Sequence, residues 1–118
     1  MKKILIILTF TLLFTSCEKN TIVINDQENN TITNSGMDFI PNTLICNVGD
    51  TIYFELGTTH NAVEVSENDY NNNIGTPLAN GFNIGYGESS YIVASEEKIY
   101  YYVCQPHLPG MKGVIIVE

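Results

Sequence analysis

The sequence predicts an all-β fold, a β-sandwich of about seven to eight strands, on three observations. Short runs rich in β-branched and aromatic residues recur between Gly, Asn and Pro at the spacing of sandwich strands and turns. One run, residues 51–56, alternates cleanly, with Ile52, Phe54 and Leu56 on one side and Thr51, Tyr53 and Glu55 on the other. After residue 20 there is no apolar stripe of helical period and length. With 118 residues, 44% of them apolar, the chain has room for one domain with a modest core.

The first segment reads as a targeting signal. Met1-Lys2-Lys3 precede an apolar run from Ile4 to Phe14, followed by Thr15, Ser16 and Cys17. The run is short for a membrane span. It resembles a bacterial lipobox, with Phe14 where that pattern usually has Leu, and the resemblance implies cleavage before Cys17 and acylation of that cysteine. A plain secretory signal with an incidental cysteine is the alternative. The expected organisation is a signal peptide at 1–16, a lipidated tether at 17–30 and a folded domain at 31–118, exported to the bacterial cell envelope at the periplasmic face or the outer membrane. Asn20, Asn25, Asp26, Gln27 and Glu28 give the tether its polar character, although residues 21–24 would also suit a first strand.

Within the domain, residues 44–48 read as a strand, and Gly49-Asp50 as a tight turn into 51–56. Residues 60–65 follow as a strand, and 67–81, with Asn71-Asn72-Asn73, Gly75 and Pro77, as a long irregular connection. Residues 82–84 and 90–93 flank Gly85-Tyr86-Gly87-Glu88, which reads as a hairpin. Residues 98–104 and 113–117 close the domain. No internal repeat is present.

Without the signal segment the chain keeps three lysines and all 13 acidic residues, a net charge of about −10. That balance excludes nucleic acid as an expected partner. It suits solubility first, and would also steer a partner protein bearing a basic patch.

The chemistry is concentrated in Cys104-Gln105-Pro106-His107-Leu108-Pro109-Gly110-Met111, with one further histidine, His60, far upstream. A thiolate, an imidazole and a thioether within eight residues form a soft donor set that selects copper over magnesium or calcium. Two prolines and a glycine stiffen the loop and turn it sharply. In the preceding strand the two-residue period puts Tyr100, Tyr102 and Cys104 on one face and Tyr101 and Val103 on the other. Cys104 therefore points inward, where a thiolate needs a cationic partner.

At this point the domain resembles the cupredoxins, nearest to plastocyanins and pseudoazurins. The resemblance rests on Phe39 and Pro41, Gly49-Asp50-Thr51, His60-Asn61, Gly87-Glu88-Ser89, Cys104-Gln105-Pro106-His107 and Gly110-Met111, and covers nearly all of residues 31–118. It implies a Greek-key sandwich with a mononuclear blue-copper site that carries single electrons between redox proteins. It assigns His60, Cys104 and His107 as equatorial ligands and Met111 as axial ligand, with Asn61 and Pro106 supporting the ligand loop. The spacing from His107 to Met111 is shorter than in plastocyanins and longer than in amicyanins.

Other readings are weighed against this one. Cys46 shares a face with Leu44 and Val48 and is expected to pack as a small hydrophobe, whereas a Cys46–Cys104 disulfide would make an immunoglobulin-like domain without metal. Copper delivery or storage is the functional alternative, although Met37 and Met111 are the only methionines after the signal segment. A copper enzyme would need further histidine-bound copper, and the chain has two histidines in all. The expected protein is thus a monomeric, non-enzymatic copper carrier with redox-protein partners and a membrane anchor at its N-terminus.

Overall fold

The computed structural model describes residues 30–118, so the expected signal, tether, Cys17 and possible strand at 21–24 lie outside the described residues. Among the described residues, nine strands form two mixed sheets. The first runs β2 (Asp38–Ile40), β1 (Thr31–Ser35), β4 (Thr51–Glu55), β7 (Ser89–Val93), with β1 parallel to β4 and the other pairs antiparallel. The second runs β3 (Thr43–Cys46), β9 (Lys112–Val117), β8 (Ile99–Val103), β5 (Ala62–Val65), β6 (Asn83–Ile84), with β3 parallel to β9. The predicted all-β sandwich is the observed one, with one strand more than the upper expectation.

Alternation places the core between the sheets. Ile52 and Phe54 of β4 are fully buried while Tyr53 stays half exposed. From the facing sheet, Tyr100, Tyr102 and Cys104 point inward in the predicted parity. Tyr102 packs on Phe39 with ring centroids 4.8 Å apart, and on Phe54 and Phe82 at 5.9 Å each. Such tilted and edge contacts add to the area these rings bury. The ring occupies the space beside Gly113, its register partner on β9, where a Cβ would come within 2.3 Å of the phenol. Gly113 is thus a glycine because Tyr102 fills its side-chain position.

Two local expectations are corrected, and one element is added. The connection at 67–81 begins with a short helix, α1 (Glu67–Asn71), capped by the Ser66 hydroxyl, which accepts from the Asp69 N–H at 3.0 Å. No residue of α1 is buried, so it has no apolar stripe to betray it. Gly85-Tyr86-Gly87-Glu88 is not a hairpin turn: β6 pairs with β5 and β7 with β4, so the segment crosses from one sheet to the other. The hairpin of β1 and β2, turning at Gly36 with φ +57°, was not anticipated as strands. Cys46 is a buried free thiol, as is Cys104, and the disulfide alternative falls.

Candidate metal centre

Three of the four residues singled out by sequence, His60, Cys104 and His107, meet at one end of the sandwich, and the fourth, Met111, is joined to Cys104 through its backbone. Cys104 follows β8 and is fully buried; Met111 precedes β9 and is fully buried. Between them the loop closes on itself. The Cys104 N–H donates to the Met111 carbonyl at 3.0 Å, and the N–H groups of Gly110 and Met111 both donate to the His107 carbonyl, at 3.0 and 3.1 Å. Gln105–His107 form a 3-10 turn closed by the His107 N–H on the Cys104 carbonyl at 3.1 Å. Pro106 sits in the first positions of this turn, where its fixed φ fits and its missing N–H costs nothing.

His60 arrives from the loop between β4 and β5. Its N–H donates to the Gly57 carbonyl at 3.0 Å, and the Gly57 N–H donates to Asn34 Oδ1 at 2.7 Å. The crossing segment holds this loop from outside, because the Gly87 N–H donates to the carbonyls of Gly57 and His60, at 3.1 and 3.3 Å. Gly87 has φ +66°, and a Cβ there would stand 3.1 Å from the Thr58 backbone, so glycine is required on both counts.

The result is a cluster of three donors. His60 Nδ1 and His107 Nδ1 lie 3.1 Å apart; Cys104 Sγ lies 3.3 Å from His107 Nδ1 and 3.8 Å from His60 Nδ1. Three such atoms fit around one ion whose bonds to imidazole nitrogen and thiolate sulfur run about 2.0–2.3 Å. His60 is buried and His107 half-buried, so one imidazole is sheltered and the other reaches the surface.

Electrostatics are consistent with a cation. Burial, and then the neighbouring His107, push the His60 pKa down, which keeps a lone pair free for a metal. Burial pushes the Cys104 thiol up, while the backbone N–H groups of Asn61 and His107 pull it partly back. A cation at the donor cluster would supply what remains for a buried thiolate.

Asn61 is buried and ties the segment of His60 to that of Cys104, its Oδ1 accepting from the Gln105 N–H at 2.9 Å and its Nδ2 donating to Gln105 Oε1 at 3.0 Å. Sequence reasoning anticipated Asn61 and missed Gln105, whose side chain also reaches the Gly75 carbonyl, thirty residues away in the chain. Met111 belongs to the same buried core cluster as Cys104, where its thioether is shielded from water.

A family model described as copper binding proteins of the plastocyanin/azurin family matches residues 26–118. Among solved structures, a pseudoazurin from Sinorhizobium is similar over 75% of this chain and 72% of its own, with 24% identity and a TM-score of 0.59. A reduced amicyanin variant is similar at 23% identity over 75% of this chain and 80% of its own, with a TM-score of 0.55. A copper-containing nitrite reductase from Thermus scotoductus SA-01 gives 26% identity and a TM-score of 0.55 over 75% of this chain but only 22% of its own. Comparison with curated protein sequences gives no match. A β-sandwich with a His60, Cys104 and His107 cluster at one end, matched from residue 26 to its last residue, belongs to the plastocyanin/azurin family of copper-binding proteins.

Proposed function

We propose that the chain is a single-electron carrier of the bacterial cell envelope. In this reading His60, Cys104 and His107 hold one copper ion with Met111 as the fourth donor. The observation that carries it is the convergence of the three donor atoms, all within 4.8 Å of one another, two of them on buried residues. Copper in a His₂Cys set with a weak thioether supplies a one-electron Cu(I)/Cu(II) couple.

The chain's own residues suit that couple. The hydrogen bonds that close residues 104–111, and those that hold His60 from β1 and the crossing segment, leave the donors little room to rearrange when charge changes. His107 offers a ring edge near the surface beside Leu108 and Pro109, the short path by which an electron would enter or leave. The domain from residue 30 carries ten acidic residues against Lys98 and Lys112. That charge favours redox partners with basic docking patches, met briefly over a small area and at a rate that falls as salt rises.

Both histidines are spent in one cluster, which leaves none for a second, catalytic copper, and the reading is therefore non-enzymatic. The same proposal takes residues 1–16 as a cleaved signal and Cys17 as the lipid-bearing residue of a tethered monomer.

The test is to express residues 18–118, add Cu(II), and record the visible spectrum beside Cys104→Ala and His60→Ala. An intense thiolate charge-transfer band at one equivalent, lost in both variants, is the expected result. A colourless protein that hands Cu(I) to an acceptor would replace electron transfer with copper delivery.

A further inference from the structure

The connection from α1 to β6, residues 72–82, lies as a strap along the flank of the ligand loop. Its backbone is tied at Ile74, whose N–H donates to the Asp69 carbonyl at 2.8 Å, and at Leu78, whose N–H donates to the Glu64 carbonyl at 2.8 Å. Between these ties the Gly75 carbonyl accepts from Gln105 Nε2 at 2.7 Å. The strap also sits in close contact with the loop: a Cβ on Gly75 would lie 3.2 Å from Leu108 Cδ1 and 3.3 Å from Gln105 Cγ.

Gln105 thus touches three segments. Its Nε2 holds the strap, its Oε1 accepts from Asn61 beside His60, and its backbone adjoins Cys104. The orientation of both side-chain amides follows from backbone groups of fixed polarity. The Gly75 carbonyl can only accept, and the Gln105 N–H can only donate, so Nε2 must face Gly75 and Asn61 must turn its oxygen to the Gln105 backbone.

We propose that Gln105 is a positioning residue that clamps the 72–82 strap onto the ligand loop, so that loosening the strap loosens the metal-holding residues. The consequence for metal rests on the copper reading; the clamp itself does not. A loop opened by thermal motion exposes Gln105 and Leu108 from the side that Gly75 covers, and the clamp makes that opening less frequent.

Gln105→Glu separates the two side-chain contacts, since it keeps an acceptor for Asn61 and sets a carboxylate oxygen against the Gly75 carbonyl. Gln105→Ala removes both. In the metal-free full-length chain at neutral pH, Gln105→Glu should speed hydrogen exchange of the Ile74 and Leu78 amides by about five- to tenfold, the loss of about one hydrogen bond. The amide of residue 105, bonded to Asn61, and that of Ile115, in a strand paired on both sides, should keep their wild-type rates. With copper loaded, the same variant should release the metal to a chelator faster by a similar factor, and Gln105→Ala faster again. Wild-type exchange at Ile74 and Leu78, or acceleration shared equally by Ile115, overturns the clamp. Faster strap exchange with an unchanged release rate overturns its coupling to the metal loop. Failure of the wild-type chain to take up copper would instead sink the copper reading, and the exchange result would still decide the clamp.

Discussion

At the loop end of the sandwich, His60, Cys104 and His107 are placed by hydrogen bonds of fixed direction, from Gly87 on one side and from Asn61 and the 104–111 backbone on the other. Midway down, Phe39, Phe54, Phe82 and Tyr102 hold one another by buried area and ring packing, and the Tyr102 hydroxyl finds no hydrogen-bond partner among the described residues. The contrast separates two tasks. Apolar packing supplies stability with tolerance for imperfect polar chemistry, whereas the polar end supplies geometry at a modest contribution to stability. Substitutions in the two regions should therefore fail in different ways.

The largest effect on folding is expected at Gly113. Gly113→Ala forces a methyl group into the Tyr102 ring and should destabilise the protein by about 3 kcal/mol in chemical denaturation. Below its unfolding transition it should still bind copper with the wild-type visible band, because residues 104–111 are closed by their own backbone hydrogen bonds and do not depend on the Tyr102 ring for their shape. A lost band at full occupancy would break the separation of the two regions.

Asn61→Ala tests the polar end. It removes two hydrogen bonds to Gln105, at 2.9 and 3.0 Å, and should cost about 2 kcal/mol. Unlike the glycine variant, it should also alter the visible spectrum and quicken copper release. A spectrum identical to wild type would show that the tie between the ligand segments does not set the geometry.

Glu64 marks a boundary between the regions. Its buried carboxylate meets Lys98 Nζ at 3.2 Å and accepts from the Phe82 N–H at 3.0 Å, pinning the far end of the strap. Lys98→Ala leaves the carboxylate without its cation and should destabilise by about 1–2 kcal/mol, less than a fully buried pair because Lys98 is partly exposed. Raising salt should narrow the difference from wild type. The smallest effect has the opposite sign. Tyr102→Phe deletes an unpartnered buried hydroxyl and should stabilise the protein by about 1 kcal/mol in the same denaturation assay, with an unchanged spectrum. Destabilisation would mean that the hydroxyl is satisfied in solution.

These differences also explain what was legible in the sequence. The candidate ligands announce themselves through rare chemistry at a tight spacing, and the inward parity of Tyr100, Tyr102 and Cys104 follows from a period that local backbone geometry enforces. Residues 31–40 are harder to read because Ile32 and Phe39 are the only fully buried side chains of that hairpin, so alternation is too sparse to mark two strands. The helix at Glu67–Asn71 could have been found from its cap, Ser66 with Asp69 three residues on, although it lacks any apolar face. The crossing at Gly85 to Glu88 could not, since a turn signal says where the chain bends and not which sheet receives the next strand. Gln105 was hidden for a related reason: its contact with Gly75 depends on where the fold lays the strap.

The claim on which the rest depends is that two imidazoles and one thiolate close on a single copper ion. X-ray absorption at the copper edge, on the domain loaded with one equivalent, reads that donor set directly. The account predicts one short copper–sulfur distance from Cys104 together with two imidazole nitrogens from His60 and His107. A shell of nitrogen and oxygen alone, with Cys104 still reactive toward thiol reagents, would contradict it.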